Sequence, residues 1–71
     1  MKTLGIKNSI GRNIRDLRSK KDISQDRLSK LADLSLNTIV KIEAGKNKNP
    51  TIVTLAKIAE SLSVAVDELI K

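Results

Sequence analysis

The sequence lacks several residue types on which small domains often rely. Its 71 residues include no cysteine, no histidine and no phenylalanine, tyrosine or tryptophan. Without cysteine, a disulfide framework and a thiolate metal site are excluded, and a disulfide-free small domain suits a reducing cytoplasm. We expect one domain that is only marginally able to bury a core, built from Leu, Ile, Val and Ala.

Long apolar runs are also missing. No stretch approaches the roughly 20 apolar residues that cross a bilayer. The N-terminal "MKTLGIKNSIG" lacks the continuous apolar region of a signal peptide. We therefore expect a soluble, cytoplasmic protein with no membrane partner.

Groups that could carry catalysis are few and scattered. The candidates are carboxylates, hydroxyls and lysines, and the adjacent Asp67 and Glu68 would point in different directions from a helix. The glycines are isolated, so no phosphate-binding or dinucleotide-binding glycine pattern is present. We expect no enzymatic activity, no cofactor and no metal.

Positive charge is concentrated in the first two thirds of the chain. Residues 1–48 carry twelve Lys and Arg against five Asp and Glu, a net charge of +7, whereas residues 49–71 carry two against three. This asymmetry fits a polyanionic partner such as nucleic acid. A merely soluble basic domain fits the charge equally well.

Apolar spacing predicts short helices throughout, with no strand alternation. Helix one is predicted over about Ile10 to Lys21, helix two after an N-cap at Ser24, and helix three between Ser35 and Gly45. Helix four follows Thr51, and a short last helix covers Val66 to Ile70. The predicted core residues are Ile10, Ile14, Leu17, Leu28, Leu31, Leu34, Ala32, Ile39, Ile42, Ile52, Leu55, Ile58, Ala59 and Leu62. The fold class is all-α, with an N-terminal arm over residues 1–9 and the domain over 10–71.

Helices two and three, joined by the tight turn "DLS", match helix-turn-helix spacing. The run "ISQDRLSKLADLSLNTIVKIEAGKNKNPTIVTLAKIAESLSVAVDEL" resembles the DNA-binding domain of the lambdoid phage repressor and Cro (XRE) family, which includes restriction–modification controller proteins. Its distinctive elements are "SQ" opening helix two, "LS" before helix three, "IE-A-G" ending it, then "NP", "L-KIA-SL" and "V-DEL". The resemblance implies a compact, five-helix, lambda-repressor-like fold.

The resemblance also implies a function: a sequence-specific transcriptional regulator that binds a pseudo-palindromic double-stranded DNA operator. It would bind as a homodimer with helix three in the major groove. No small-molecule effector is expected. The alternative is an antitoxin-like or other protein-binding module on the same fold.

Base reading is assigned through the resemblance to the outer face of helix three. Asn37 can bind adenine and Lys41 can donate to guanine. Leu36 and Val40 can pack on thymine methyl groups, although a neighbouring helix or subunit is an alternative contact for both. The predicted phosphate contacts are Ser24, Gln25, Thr38, Lys46, Lys48 and Asn49.

The resemblance implies that Arg18 and Glu43 form a structural ion pair, which removes Arg18 from the DNA contacts. Three positions depart from the family pattern. Asp33 stands where Gly is common, Leu36 replaces a polar residue, and Ala65 stands where a Ser or Thr cap is common, so we expect a weakly held last helix. The candidate dimer-interface residues are Leu4, Ile6, Val64, Val66 and Ile70, each of which could instead belong to the core.

Overall fold

The computed structural model describes residues 5–71, with side chains from Ile10 onward. Over this range the chain forms five helices: α1 (Gly5–Lys20), α2 (Gln25–Ala32), α3 (Leu36–Glu43), α4 (Ile52–Ser61) and α5 (Asp67–Ile70). Residues 5–71 contain no strand. The predicted all-α, five-helix fold is therefore confirmed.

Two helix boundaries differ from the sequence prediction. α1 begins at Gly5 instead of Ile10, so residues 5–9 of the predicted arm are helical. No proline precedes Ile10 to prevent this, and the spacing of Ile6, Ile10 and Ile14 continues the helical period. α5 begins at Asp67, one residue later than predicted. Residues 1–4 of the predicted arm, with Leu4, lie outside the described residues, as does the side chain of Ile6.

The predicted N-caps are present at three helices. The side-chain oxygens of Ser24, Ser35 and Thr51 accept hydrogen bonds from the backbone N–H three residues later, at 3.0, 3.1 and 3.1 Å. Each bond satisfies a donor that the first turn of a helix leaves unpaired. Sequence and structure thus agree on where α2, α3 and α4 begin.

Three helices end with a residue other than glycine in the left-handed conformation. Asp22, Asp33 and Ser63 have φ near +57°. The next residues, Ile23, Leu34 and Val64, donate their N–H groups back to the helix at 2.9–3.0 Å and pack against the core. This arrangement is the Schellman motif with its apolar contact, which turns the chain inward.

The end of α3 uses the same hydrogen bonds without the apolar contact. Gly45 adopts φ +78°, and Lys46 N–H donates to the carbonyl of Lys41 at 2.9 Å. Lys46 is polar and exposed, so the chain leaves α3 along the surface.

The short α5 lacks a side-chain N-cap bond, and the residue at its N-cap position is Val66 instead of Ala65. Its other end is held by Asn13 of α1, whose Nδ2 donates to the carbonyl oxygens of Leu69 (2.9 Å) and Lys71 (3.1 Å). Leu69 is fully buried. Packing and the Asn13 bonds therefore hold a helix that is too short to be stable alone.

Most predicted core residues are buried, but Leu31 and Ile52 are not: they are 48% and 66% exposed. α2 turns Ser29 inward instead of Leu31, since Leu28, Ser29 and Ala32 are its buried residues and the Ser29 hydroxyl donates to the Asp26 carbonyl at 2.7 Å. Ile52 is the first residue of α4, one turn before its buried face begins at Leu55.

Three candidate interface residues, Val64, Val66 and Ile70, are partly buried and pack against the core. None of the helices in residues 5–71 combines the length and apolar character needed to span a membrane.

Candidate nucleic-acid interface

α3 presents two faces of different chemistry. Its inner face is anchored by Ile39 and Ile42, which are completely buried, and by Glu43. Its outer face leaves Leu36 42% exposed and Val40 39% exposed, beside exposed Asn37 and Lys41. The four predicted base-reading residues thus lie together on one accessible surface.

The exposed residues of α3 form two short rows. Leu36 and Val40 are four residues apart, as are Asn37 and Lys41, so each pair lies on adjacent turns of the helix. We call Leu36 and Val40 the apolar row, and Asn37 and Lys41 the polar row. An outer face with this composition offers aliphatic contact, amide hydrogen bonding and one positive charge side by side.

Thr38 flanks these rows and is half-buried. Its Oγ1 lies 2.8 Å from the Oγ of Ser35, the residue that caps the same helix. The two hydroxyls therefore form one exposed polar group at the start of α3, next to N–H groups that favour an anion.

A buried carboxylate holds α3 to the two preceding helices. The guanidinium of Arg18 donates through Nε to Glu43 Oε2 at 2.8 Å and through Nη2 to Oε1 at 3.0 Å. Its Nη1 donates to the carbonyl of Ile23 at 2.8 Å. The predicted ion pair is therefore present, and its side chains are only 15% and 4% exposed.

The pKa of the Arg18 guanidinium is raised by its partner. The hydrogen bond with Glu43 raises the pKa of Arg18, and the negative charge of Glu43 acts in the same direction, while burial opposes both. Arg18 is occupied within the protein, which agrees with its exclusion from the predicted DNA contacts.

Gln25 joins this cluster, a contact that sequence reasoning missed. Its Nε2 donates to Glu43 Oε1 at 3.1 Å, so Glu43 binds α1 through Arg18 and α2 through Gln25. The predicted pairing of Glu43 with Arg18 could have indicated a further donor, because an ionised carboxylate can accept more hydrogen bonds than one arginine supplies. Gln25 is half-buried at the first position of α2, with Ser24 exposed immediately before it.

Gly11 allows α1 to approach the end of α3 closely. A Cβ atom at this position would overlap the carbonyl oxygen of Ile42 and lie 3.0 Å from that of Glu43. Only glycine permits this separation without displacement of one helix. Gly11, isolated in the sequence, thus helps to fix the position of the candidate reading helix.

The loop after α3 carries the remaining predicted phosphate contacts. Lys46, Lys48 and Asn49 are exposed. Both Lys46 and Asn47 donate their N–H groups to the carbonyl of Lys41, at 2.9 and 3.2 Å. The loop therefore starts folded against the end of α3, with the backbone of its first lysine bonded to that of Lys41.

Outside α3, the surface has an open groove. This groove, of about 460 Å³, lies between α2 and α4, lined by Leu31, Ala32, Asp33, Lys57, Glu60 and Ser61. Within the described part of the chain, no group of three or more Asp and Glu residues is arranged to hold a metal ion.

Residues 14–69 match the sequence model of the HTH_3 (helix-turn-helix) family. The chain belongs to this family. The resemblance to XRE-type regulators inferred from the sequence is thereby confirmed, and α2 with α3 is the helix-turn-helix of this HTH_3 domain. The family is one of DNA-binding transcriptional regulators and not of enzymes.

Individual relatives support the same assignment. An uncharacterised HTH-type transcriptional regulator of Sinorhizobium fredii, y4dJ, is 31% identical over 61 residues, which cover 86% of this chain and 78% of that protein. The crystal structure of the restriction–modification controller protein C.AhdI from Aeromonas hydrophila has a TM-score of 0.81 and 31% identity, covering 90% of this chain and 92% of that one.

A larger protein contains the same domain. An HTH_3 family transcriptional regulator from Vibrio cholerae has a TM-score of 0.83 and 31% identity over 90% of this chain, which corresponds to 35% of that chain. The HTH_3 fold therefore occurs both nearly alone and within longer regulators.

Proposed function

We propose that this HTH_3 domain is a sequence-specific regulator that binds a pseudo-palindromic operator as a homodimer, with α3 in the major groove. The observation that carries the proposal is the outer face of α3. Leu36, Asn37, Val40 and Lys41 are exposed there, while the opposite face is anchored in the core. A rigidly held helix with a free polar and apolar face suits direct reading of base edges.

Each row of α3 has a defined role in this proposal. Asn37 makes a bidentate contact with adenine and Lys41 donates to guanine, whereas Leu36 and Val40 make apolar contact. Arg18 and Glu43 hold the helix and do not contact DNA. Because α3 is tied to both α1 and α2, the reading side chains enter the groove from a fixed backbone.

Backbone phosphates are contacted by residues on either side of the reading face. Ser24 caps α2 and Gln25 is its first residue, Thr38 lies in the first turn of α3, and Lys46, Lys48 and Asn49 follow α3. Gln25 would reach a phosphate through its backbone N–H, because its side-chain amide already donates to Glu43. These contacts supply affinity and orientation instead of sequence information. The net charge of +7 on residues 1–48 adds a salt-dependent attraction to DNA.

The small size of the reading surface supports the proposed homodimer. One eight-residue helix reads only a few base pairs, and two copies spaced by one turn of DNA multiply the specificity. Ile52 and Val53, 66% and 60% exposed at the start of α4, offer the apolar surface for this contact. They replace Val64, Val66 and Ile70 as first candidates, because those three already pack against the core.

The dimer contact is tested by sedimentation equilibrium of wild type, Ile52→Ser and Val53→Ser. We expect the dimers of both variants to have a higher dissociation constant than the wild-type dimer. Leu31→Ser is the matched control, since Leu31 is also a large apolar residue that is 48% exposed, but it lies on α2. A wild-type protein that remains monomeric, or equal weakening by all three variants, contradicts the assignment to α4.

Operator binding is tested by selecting bound duplexes from a random pool. We expect enrichment of a site with two-fold symmetry whose half-sites are about one helical turn apart. An enriched site without symmetry would argue against the dimer, and the absence of enrichment would argue against sequence-specific binding.

A protein-binding module of antitoxin type is the second candidate, favoured by the exposure of Leu31 beside the groove between α2 and α4. An apolar side chain at the rim of a concave surface suits a protein partner. If the pool yields no enriched sequence, this function gains support, and Leu31→Ser becomes the variant that should abolish partner binding.

A further inference from the structure

The apolar row of α3 has no hydrogen-bonding group with which to read a base. Leu36 and Val40 can contribute only aliphatic contact, yet both remain about 40% exposed on a helix whose other large apolar residues are fully buried. In the major groove, the apolar group that distinguishes one base from another is the methyl at C5 of a pyrimidine. Thymine carries this methyl group, and 5-methylcytosine carries it at the same position.

We propose that Leu36 and Val40 bind pyrimidine C5-methyl groups, so that this domain distinguishes thymine from uracil and 5-methylcytosine from cytosine. The inference rests on the proposed function, because it requires α3 to lie in the major groove. It adds that binding to the operator responds to cytosine methylation at the positions that face the apolar row.

The geometry of α3 supports two such positions in each half-site. Leu36 and Val40 lie on successive turns, about 6 Å apart along the helix axis, which exceeds the 3.4 Å spacing of bases along one strand. With α3 lying along the groove, each side chain would therefore face a different base pair. Two methyl groups, not one, fall within reach of the row.

Neighbouring residues favour DNA over protein as the partner of this row. Asn37 and Lys41 lie directly beside it and carry the donors that suit base edges. The other large, exposed apolar residues in the described part of the chain are Leu31, Ile52 and Val53, which lie on α2 and α4. The apolar row is thus separate in sequence from the surface assigned to the dimer.

The experiment begins with the half-site obtained by selection from a random pool. In one series of duplexes, each thymine is replaced singly by uracil. In a second series, each pyrimidine position, whether cytosine or thymine, carries either cytosine or 5-methylcytosine, in both cases paired with guanine. We expect wild type to lose affinity about fourfold for each contacted methyl group that is removed, as burial of one methyl predicts.

The variants assign each methyl group to its side chain. Leu36→Ala should lose the methyl preference at one position and Val40→Ala at another, each keeping the preference of the other residue. Asn37→Ala is the matched control on the polar row, and it should bind more weakly while retaining both methyl preferences. Melting temperatures close to wild type will show that the exposed substitutions preserve the fold.

Several outcomes overturn the proposal while leaving the proposed function intact. One is a selected site at which methylated and unmethylated pyrimidines bind equally at every position. Another is a methyl preference that survives both alanine variants, since another part of the protein would then be responsible. Equal weakening of all duplexes, together with loss of the dimer, would assign the row to a protein contact. If no sequence is enriched from the random pool, both the proposed function and this inference are contradicted.

Discussion

Helices α2 and α3 have the same length and begin in the same way, but their outer faces differ. Each has eight residues and a serine N-cap that accepts a backbone N–H at 3.0 or 3.1 Å. The exposed side of α2 carries an ion pair between Asp26 and Lys30, at 2.8 Å. α3 instead exposes its apolar and polar rows. The shared features specify the fold, and the difference separates a helix that is solvated from one that we propose to read DNA.

The two helices also differ in how their charges are used. The Asp26–Lys30 pair is open to solvent, with side chains 58% and 72% exposed, whereas Glu43 of α3 is buried against Arg18. Exposed pairs contribute little to stability because water and ions screen them. A buried pair cannot lose one partner without leaving the other charge poorly solvated. α3 is therefore fixed more firmly than α2 by electrostatics.

Removing the Glu43 carboxylate should have the largest effect. We expect Glu43→Ala to lower the free energy of unfolding by about 3–5 kcal/mol, because Arg18 is left as an unpaired, largely buried cation. Gln25 also loses its partner. Urea unfolding followed by circular dichroism measures the change.

The matching control in α2 is Asp26→Ala. It removes one partner of the exposed pair and should change stability by no more than about 0.5 kcal/mol. If the two variants were equally stable, the buried pair would not be what distinguishes α3 from α2.

The contact between α1 and α3 should be the next most sensitive feature. Gly11→Ala should destabilise the fold by about 2 kcal/mol, since the new methyl group overlaps the Ile42 carbonyl and one helix must move. This loss exceeds the gain of about 1 kcal/mol that alanine brings to a helix interior. Thermal unfolding measures it, with Ser19→Ala, at an exposed position of α1, as the control. A stabilised Gly11→Ala protein would mean that α1 and α3 are farther apart.

The polar row allows the exposed faces of α3 and α2 to be compared by DNA binding. Lys41→Ala should cost about 1–3 kcal/mol on the selected operator and relax the preference at one base pair. Titration of duplexes that vary at each position measures both effects. Lys30→Ala, on the exposed face of α2, should leave the base preferences unchanged. If Lys41→Ala weakened binding equally on every sequence, Lys41 would be a phosphate contact.

Much of this arrangement could be predicted from the sequence, because it depends on local chemistry. Caps at Ser24, Ser35 and Thr51 follow from hydroxyl groups at the right distance from an apolar stripe. The left-handed Asp33 follows from its place in the turn "DLS". The Arg18–Glu43 pair was accessible only through the family resemblance, since residues 25 apart meet through tertiary packing.

The errors came from the same packing. Periodicity placed Leu31 inside because leucine is more apolar than serine. In the structure α2 is rotated so that Ser29 faces the core, where its hydroxyl donates a hydrogen bond to the Asp26 carbonyl. Ile52 fitted the period of α4 but lies one turn before its buried face. Gly11 gave no sequence signal, because a close approach between helices depends on residues that are distant in the chain. Periodicity reports the width of an apolar face better than its exact direction.

The helix ends offer the smallest and most controlled test. α2 ends with Asp33 at φ 57° and α3 with Gly45 at φ 78°, in the same hydrogen-bonded motif. Asp33→Gly should raise the free energy of unfolding by about 0.5–1 kcal/mol, since glycine adopts this conformation without a Cβ penalty. Gly45→Asp should lower it by a similar amount through backbone conformation alone, because a Cβ there meets no atom within 4 Å. A protein with both substitutions should have a free energy of unfolding close to that of wild type, which urea unfolding can measure. A destabilised Asp33→Gly protein would instead mean that the carboxylate contributes to stability across the groove that it shares with Lys57, and that loss would shrink as salt is added.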